Sequence, residues 1–120
     1  MIEQLIQQVE AAIVAAEKWA ETGWSATFGV RNNEVSSLKQ AEALPRNAVY
    51  RLEAINYWKQ VLLAGEDTAR FGRKALEALK DNNLAVANDA LYFCQFVEKP
   101  FCDFTNTWLP LYEAIQKRAA

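Results

Sequence analysis

The chain has 120 residues, one domain's worth, and 52% of them are hydrophobic, enough for a sizeable core. Thirteen Lys and Arg are interspersed with fifteen Asp and Glu, for a net charge of -2 and a pI near 5.2, so neither nucleic acid nor an anionic membrane is an expected partner. There is no histidine, which removes the commonest general base, every Ser-His or Cys-His nucleophile pair, and the Glu/His sites of zinc and di-iron bundles.

From Ile2 to Glu21 the residues Ile2, Leu5, Ile6, Val9, Ala12, Ile13, Ala16 and Trp19 or Ala20 recur at three- and four-residue spacing among Glu and Gln. The spacing predicts an amphipathic helix, with Gly23 placed to cap its end. Glu3, Glu10 and the neighbouring glutamines stand where an export signal needs a basic start and an unbroken apolar core. No stretch approaches the roughly 18 apolar residues of a membrane span. A cytoplasmic chain is the expectation.

Thr22 to Asn33 holds two glycines, Trp24 and Phe28 without helical periodicity. It reads as an ordered loop that tucks both aromatics onto the core, with a strand in Ala26 to Val30 as the alternative. Asn33 is placed to cap a short helix over Glu34 to Ala43, with Val35, Leu38 and Ala41 inward; Leu44-Pro45 ends it, because a residue before proline avoids the α region.

Pro45 suits the first turn of the next helix. The series Val49, Leu52, Ile55, Trp58, Leu62, Gly65, Ala69, Gly72, Leu76 and Leu79 then keeps phase across both glycines, which predicts one continuous helix up to a turn at Lys80-Asp81-Asn82-Asn83. After the turn the inward series is Leu84, Ala87, Leu91, Phe93 or Cys94, Val97, Phe101, Phe104, Trp108, Leu111 and Ile115. Pro100 predicts a distortion, and Pro110 either kinks the helix or opens a fresh one, in which case Thr107 would cap it and Pro110 would stand in its first turn.

Folding these two segments together about Asn82-Asn83 puts Gly65 level with Pro100, Gly72 with Phe93, and Ala69 with Phe96 and Val97. On this reading the glycines lower the helix surface so that Phe93, Phe96 and Phe101 pack closely. The fold expected is all-α, a single domain over residues 1–120. It is an antiparallel helical bundle built on a long hairpin, about residues 45–118, with the N-terminal helix alongside. Two continuous arms of roughly 35 residues would span about 50 Å against 30 Å for the first helix. The apolar strip left bare favours a homodimer or a standing partner, whereas breaks at Gly65 and Pro100 together would allow a compact six-helix monomer.

No motif adds chemistry. Gly65 and Gly72 lack the Gly-Lys-Ser/Thr of a phosphate loop, and Ala85 and Val86 occupy the fifth and sixth positions of any calcium loop begun at Asp81. The carboxylates Glu10, Glu17, Glu53, Glu66, Asp67 and Glu77 have the spacing of solvated helix faces. Cys94 and Cys102 would sit about 12 Å apart on a straight helix, beyond bridging distance, and read as reduced thiols. Arg70, Arg73 and Lys74 form the densest positive charge, with Glu66 and Glu77 as expected i,i+4 partners. Seven of the fourteen aromatics lie between Tyr92 and Tyr112, on more than one helix face.

The sequence thus points to a non-catalytic helical interaction module whose partner is another protein or itself, with a homodimer preferred. It implies no cofactor, no metal and no catalytic residue. The contact residues expected are Trp24, Phe28, Arg70, Arg73, Tyr92 and Phe96. An alternative is a carrier of an apolar ligand or pigment, with an aromatic pocket between the hairpin and the Trp24 loop; a third is an enzyme using carboxylates, Cys94 or Cys102.

Overall fold

The computed structural model describes residues 2–22, 37–98 and 104–119, and among them all regular structure is helical. Gly23, Trp24, Phe28, Asn33, Val35, Pro100, Phe101 and Cys102 lie outside the described residues, as do the expected Trp24 loop, its alternative strand and the distortion at Pro100.

Helix α1, Ile2–Thr22, buries Leu5, Val9, Ala12, Ile13, Ala16 and Trp19 along one stripe, as its spacing predicts. Helix α2, Leu38–Ala43, begins later than expected. The reason is Ser37: its backbone is extended and its hydroxyl accepts from the Gln40 N–H at 3.2 Å, so Ser37 is the cap. Leu44, ahead of Pro45, is extended and ends the helix.

Pro45 does not open the next helix. Residues 45–50 form turns, with Ala48 N–H bonded to the Pro45 carbonyl, and α3 runs Arg51–Lys80. Arg51 fixes that start, because its guanidinium donates to the carbonyls of Leu44 at 3.0 Å and Glu42 at 3.3 Å, groups left open where α2 ends. Val49 and Leu52, expected inward, are therefore exposed. Beyond them α3 is one unbroken helix through Gly65 and Gly72, about 45 Å long.

A tight turn ends it. Asn82 takes φ 56, and the N–H groups of Asn82 and Asn83 bond to Leu79 and Ala78, which closes the end of α3 in a Schellman pattern. Asn83 then caps α4, Leu84–Glu98, with its side-chain oxygen accepting from Val86 N–H at 3.3 Å. The second arm of the hairpin is not one long helix: α4 ends at Glu98, and α5, Phe104–Thr107, leads into α6, Leu109–Ala119, which packs back against α4. Pro110 sits in the first turn of α6, where its missing N–H leaves no bond unmade.

Helices α1, α3, α4 and α6 close a four-helix ring at one end, each touching the next. Its core is a single cluster in which Trp108, Leu79, Leu91, Ile115 and Val9 are fully buried. The first half of α3 projects beyond the ring and carries a second, smaller cluster, Ala41, Ala54, Trp58 and Val61. The result is a rod, with extents of 55 × 19 × 18 Å and a radius of gyration of 16.3 Å, against about 13.6 Å for a compact chain of this length. Among the described residues no helix is long and apolar enough to cross a membrane.

The glycines do not serve the aromatics of α4. A Cβ on Gly65 would lie 2.8 Å from both the Ala16 carbonyl oxygen and the Ala20 backbone nitrogen of α1. One on Gly72 would meet Ile13 Cγ1 at 2.8 Å and the Trp108 ring at 2.9 Å. Height along α3 is as expected, since Phe71 stacks on Phe93, but positions 65 and 72 point around the helix toward α1. Gly65→Ala should destabilise by about 2 kcal/mol despite Ala's advantage in helix propensity of about 1 kcal/mol, because the α1 backbone must retreat. Gly72→Ala, which meets only side-chain atoms, should cost less. Urea unfolding ranks the two, and a Gly65→Ala chain more stable than wild type would refute this packing.

Candidate protein interface

Helix α4 is apolar on nearly all sides, a composition normally found in buried helices. Its inner side, Ala87, Ala90, Leu91 and Cys94, is buried. Its outer side is not covered: Val86 is 47% exposed, Tyr92 43%, Phe93 49% and Phe96 58%. Val86, Phe93 and Phe96 follow one another at spacings of seven and three residues, as on the seam of a helix that packs on another helix, with Asp89 the charged residue between them.

The rings form one patch across three helices. Phe71 of α3, half-buried, stacks on Phe93 with centroids 5.8 Å apart and planes at 25°. Tyr92 meets Phe93 edge-on at 5.8 Å and Phe96 at 5.3 Å, and reaches Tyr112 of α6 at 6.1 Å. At 150–250 Å² per aromatic side chain, the open fractions of Tyr92, Phe93 and Phe96 amount to roughly 300 Å². A patch of that size on one face is often functional.

The two rims differ. On α3, Arg70 and Lys74 hold their cations 5.5 and 5.7 Å from the centroid of the Phe71 ring, a cation–π arrangement, and Arg70 pairs with Asp67 at 3.0 Å. On α6, Gln116 donates to the Tyr112 hydroxyl at 3.0 Å, with no charge at that contact. The pairing expected from i,i+4 spacing is replaced at both arginines: Arg70 takes Asp67 rather than Glu66, and Arg73 crosses to Glu17 of α1 at 3.2 Å rather than pairing with Glu77. In Arg73–Glu77 the basic residue comes first, the weaker order within a helix.

The structure therefore brings Arg70, Tyr92 and Phe96 together and puts Arg73 on another side, against α1; Trp24 and Phe28 lie outside the described residues. Phe71 and Phe93 are members the sequence reading assigned to no site; of the inward pair left open, Phe93 or Cys94, it is Cys94 that is buried. The signal that marks them is the second apolar stripe of α4, out of phase with the buried one.

The other candidates are weaker. A cleft of about 500 Å³ lies between the end of α1, α2 and α3, where Glu21, Lys39 and Glu42 stand beside Ala20, Leu38, Trp58 and Leu62; the carrier pocket expected against the Trp24 loop falls outside the described residues. Cys94 is fully buried, with its thiol directed to the carbonyls of Thr68 and Ala90, so no substrate reaches it. Among the described residues no group of three or more Cys, Asp or Glu side chains is placed to hold a metal ion. No family model, curated protein or solved structure matches the chain.

The exposed patch and the core should separate cleanly in stability. Phe96→Ser is expected to change unfolding free energy by about 0.5 kcal/mol or less, whereas Trp108→Ala, which empties the centre of the ring, should cost about 3–5 kcal/mol. Equal losses in chemical denaturation would show Phe96 to be part of the core.

Proposed function

We propose that this chain is a non-catalytic helical interaction module that works in the cytoplasm by docking the aromatic side of α4 onto another polypeptide. The observation that carries the reading is the run of three half-open rings, Tyr92, Phe93 and Phe96, on a helix whose opposite side is already buried. Water against such a surface is unfavourable by the same hydrophobic effect that folds the bundle. The seam spacing of Val86, Phe93 and Phe96 favours a helical partner over an extended one. The reading requires no cofactor, and a net charge of -2 supports a protein partner over nucleic acid or a membrane surface.

The test compares the wild-type chain, expressed in its own host, with a chain carrying Phe93→Ser and Phe96→Ser. Wild type should come through native mass spectrometry with a second polypeptide, its own or another. The double variant should lose it while its melting temperature stays within a few degrees. A wild type that carries no second polypeptide, or a variant that keeps the same one at the same yield, refutes the reading.

A further inference from the structure

We propose that the occupant of the aromatic face is a second copy of the same chain, docked antiparallel about a two-fold axis that crosses α3 between Arg70 and Phe71 and passes beside Phe93 on α4. The assignment rests on the interaction reading and names its partner.

The charges on the α3 rim fix the axis. Asp67 and Lys74 are seven residues apart, two helical turns, and so share one side of α3. A two-fold laid across the helices reverses their order in the mate. With the axis midway between them, Asp67 of each chain comes level with Lys74 of the other, opposite signs meeting twice. Asp67 holds Arg70 through Oδ1 at 3.0 Å, which leaves Oδ2 for the incoming ammonium.

The rings agree with the same axis. Its height on α3 is that of Phe71, and Phe71 stacks on Phe93, so Phe93 meets its own counterpart at the axis. Tyr92 and Phe96 then exchange neighbours on either side of it. This is the self-complementarity that an isologous interface requires.

The size sets the strength. A patch with roughly 300 Å² of open aromatic surface per chain, plus its rims, falls at the low end of protein interfaces. The dimer is therefore one that exchanges with monomer. Its affinity comes from the rings, and the Asp67–Lys74 pairs supply register more than strength.

The experiment is analytical ultracentrifugation of the full chain over a dilution series, with Asp67→Lys and Lys74→Glu as single variants. Both positions are on the surface rim, and thermal melts confirm that the variants fold. In the first, lysines face each other across the axis; in the second, carboxylates do. Each single variant should dimerise at least about tenfold more weakly than wild type, and an equimolar mixture of the two should recover a heterodimer.

A wild type that is monomeric throughout, single variants that dimerise like wild type, or a mixture that stays monomeric would each overturn the assignment. A monomeric wild type that nonetheless loses a different polypeptide on Phe93→Ser with Phe96→Ser would overturn it and leave the interaction reading standing. A dimer that survives that double change would remove the face altogether.

Discussion

Everything in this fold depends on how closely α1 can lie against α3. Gly65 on α3 opposes Ala16 and Ala20 on α1, Gly72 opposes Ile13, and at Gly65 even one added carbon would stand 2.8 Å from the α1 backbone. Helices joined through small residues approach at the short end of the usual 8–10 Å range, and dispersion contacts between them are correspondingly numerous. The helix-propensity cost of two mid-helix glycines, about 1 kcal/mol each, is offset by that contact. The remaining width is taken up by Trp108, which lies over Gly72 from the opposite side of the ring.

That arrangement decides the fate of α4. Once α1 and Trp108 occupy the low side of α3, α4 packs on the neighbouring side through Cys94, whose thiol reaches the Thr68 carbonyl, and through the Phe71–Phe93 stack. Only one stripe of α4 is buried by that contact and by α6. Because the helix is apolar on both sides, the other stripe is left open. The exposed face is thus a consequence of the core, with no separate cause needed for its position; the sequence departs from an ordinary surface helix only in placing aromatics there rather than Lys or Glu.

Much of this architecture was legible from residue spacing. The extent of α1, the continuity of α3 across its glycines and the turn at Asn82-Asn83 all follow from periodicity and cap chemistry, whereas at Pro110 the pattern allows both a kink and the fresh helix that the structure has. Height along the hairpin was legible too, since a short turn ties position on one helix to position on the other. Rotation about the helix axis was not: Gly72 and Phe93 are level, yet one points to α1 and the other to solvent. Periodicity gives a stripe but not which of two neighbours it faces, and in α4, where two stripes are apolar, it cannot say which is inside. The start of α3 was hidden for another reason, a long-range bond from Arg51 to the carbonyls of Glu42 and Leu44. As for the exposed patch, charge and aromatic density pick out Arg70, Tyr92 and Phe96, which lie on it, while Phe71 needed the fold, because nothing near it in sequence is aromatic.

The turn also ties the exposed face to a place well away from it. Asn83 serves both helices, closing α3 through its N–H and opening α4 through its side chain, so the angle and height between them are fixed by two residues. Phe71 and Phe93 lie about 16 Å along their helices from that turn and yet stack within 5.8 Å. One residue inserted in the first turn of α4 would rotate the rest of that helix by about 100° relative to its present position on α3 and carry Phe93 away from Phe71. The buried stripe of α4, made of Ala87, Ala90, Leu91 and Cys94, would leave the core in the same movement. Core and open face are therefore set by one register, and a change that spoiled the face by this route would be felt first as a loss of stability. Only substitutions on the face itself, at Phe93, Phe96 or the Asp67 and Lys74 rim, separate what the patch does from how the bundle folds.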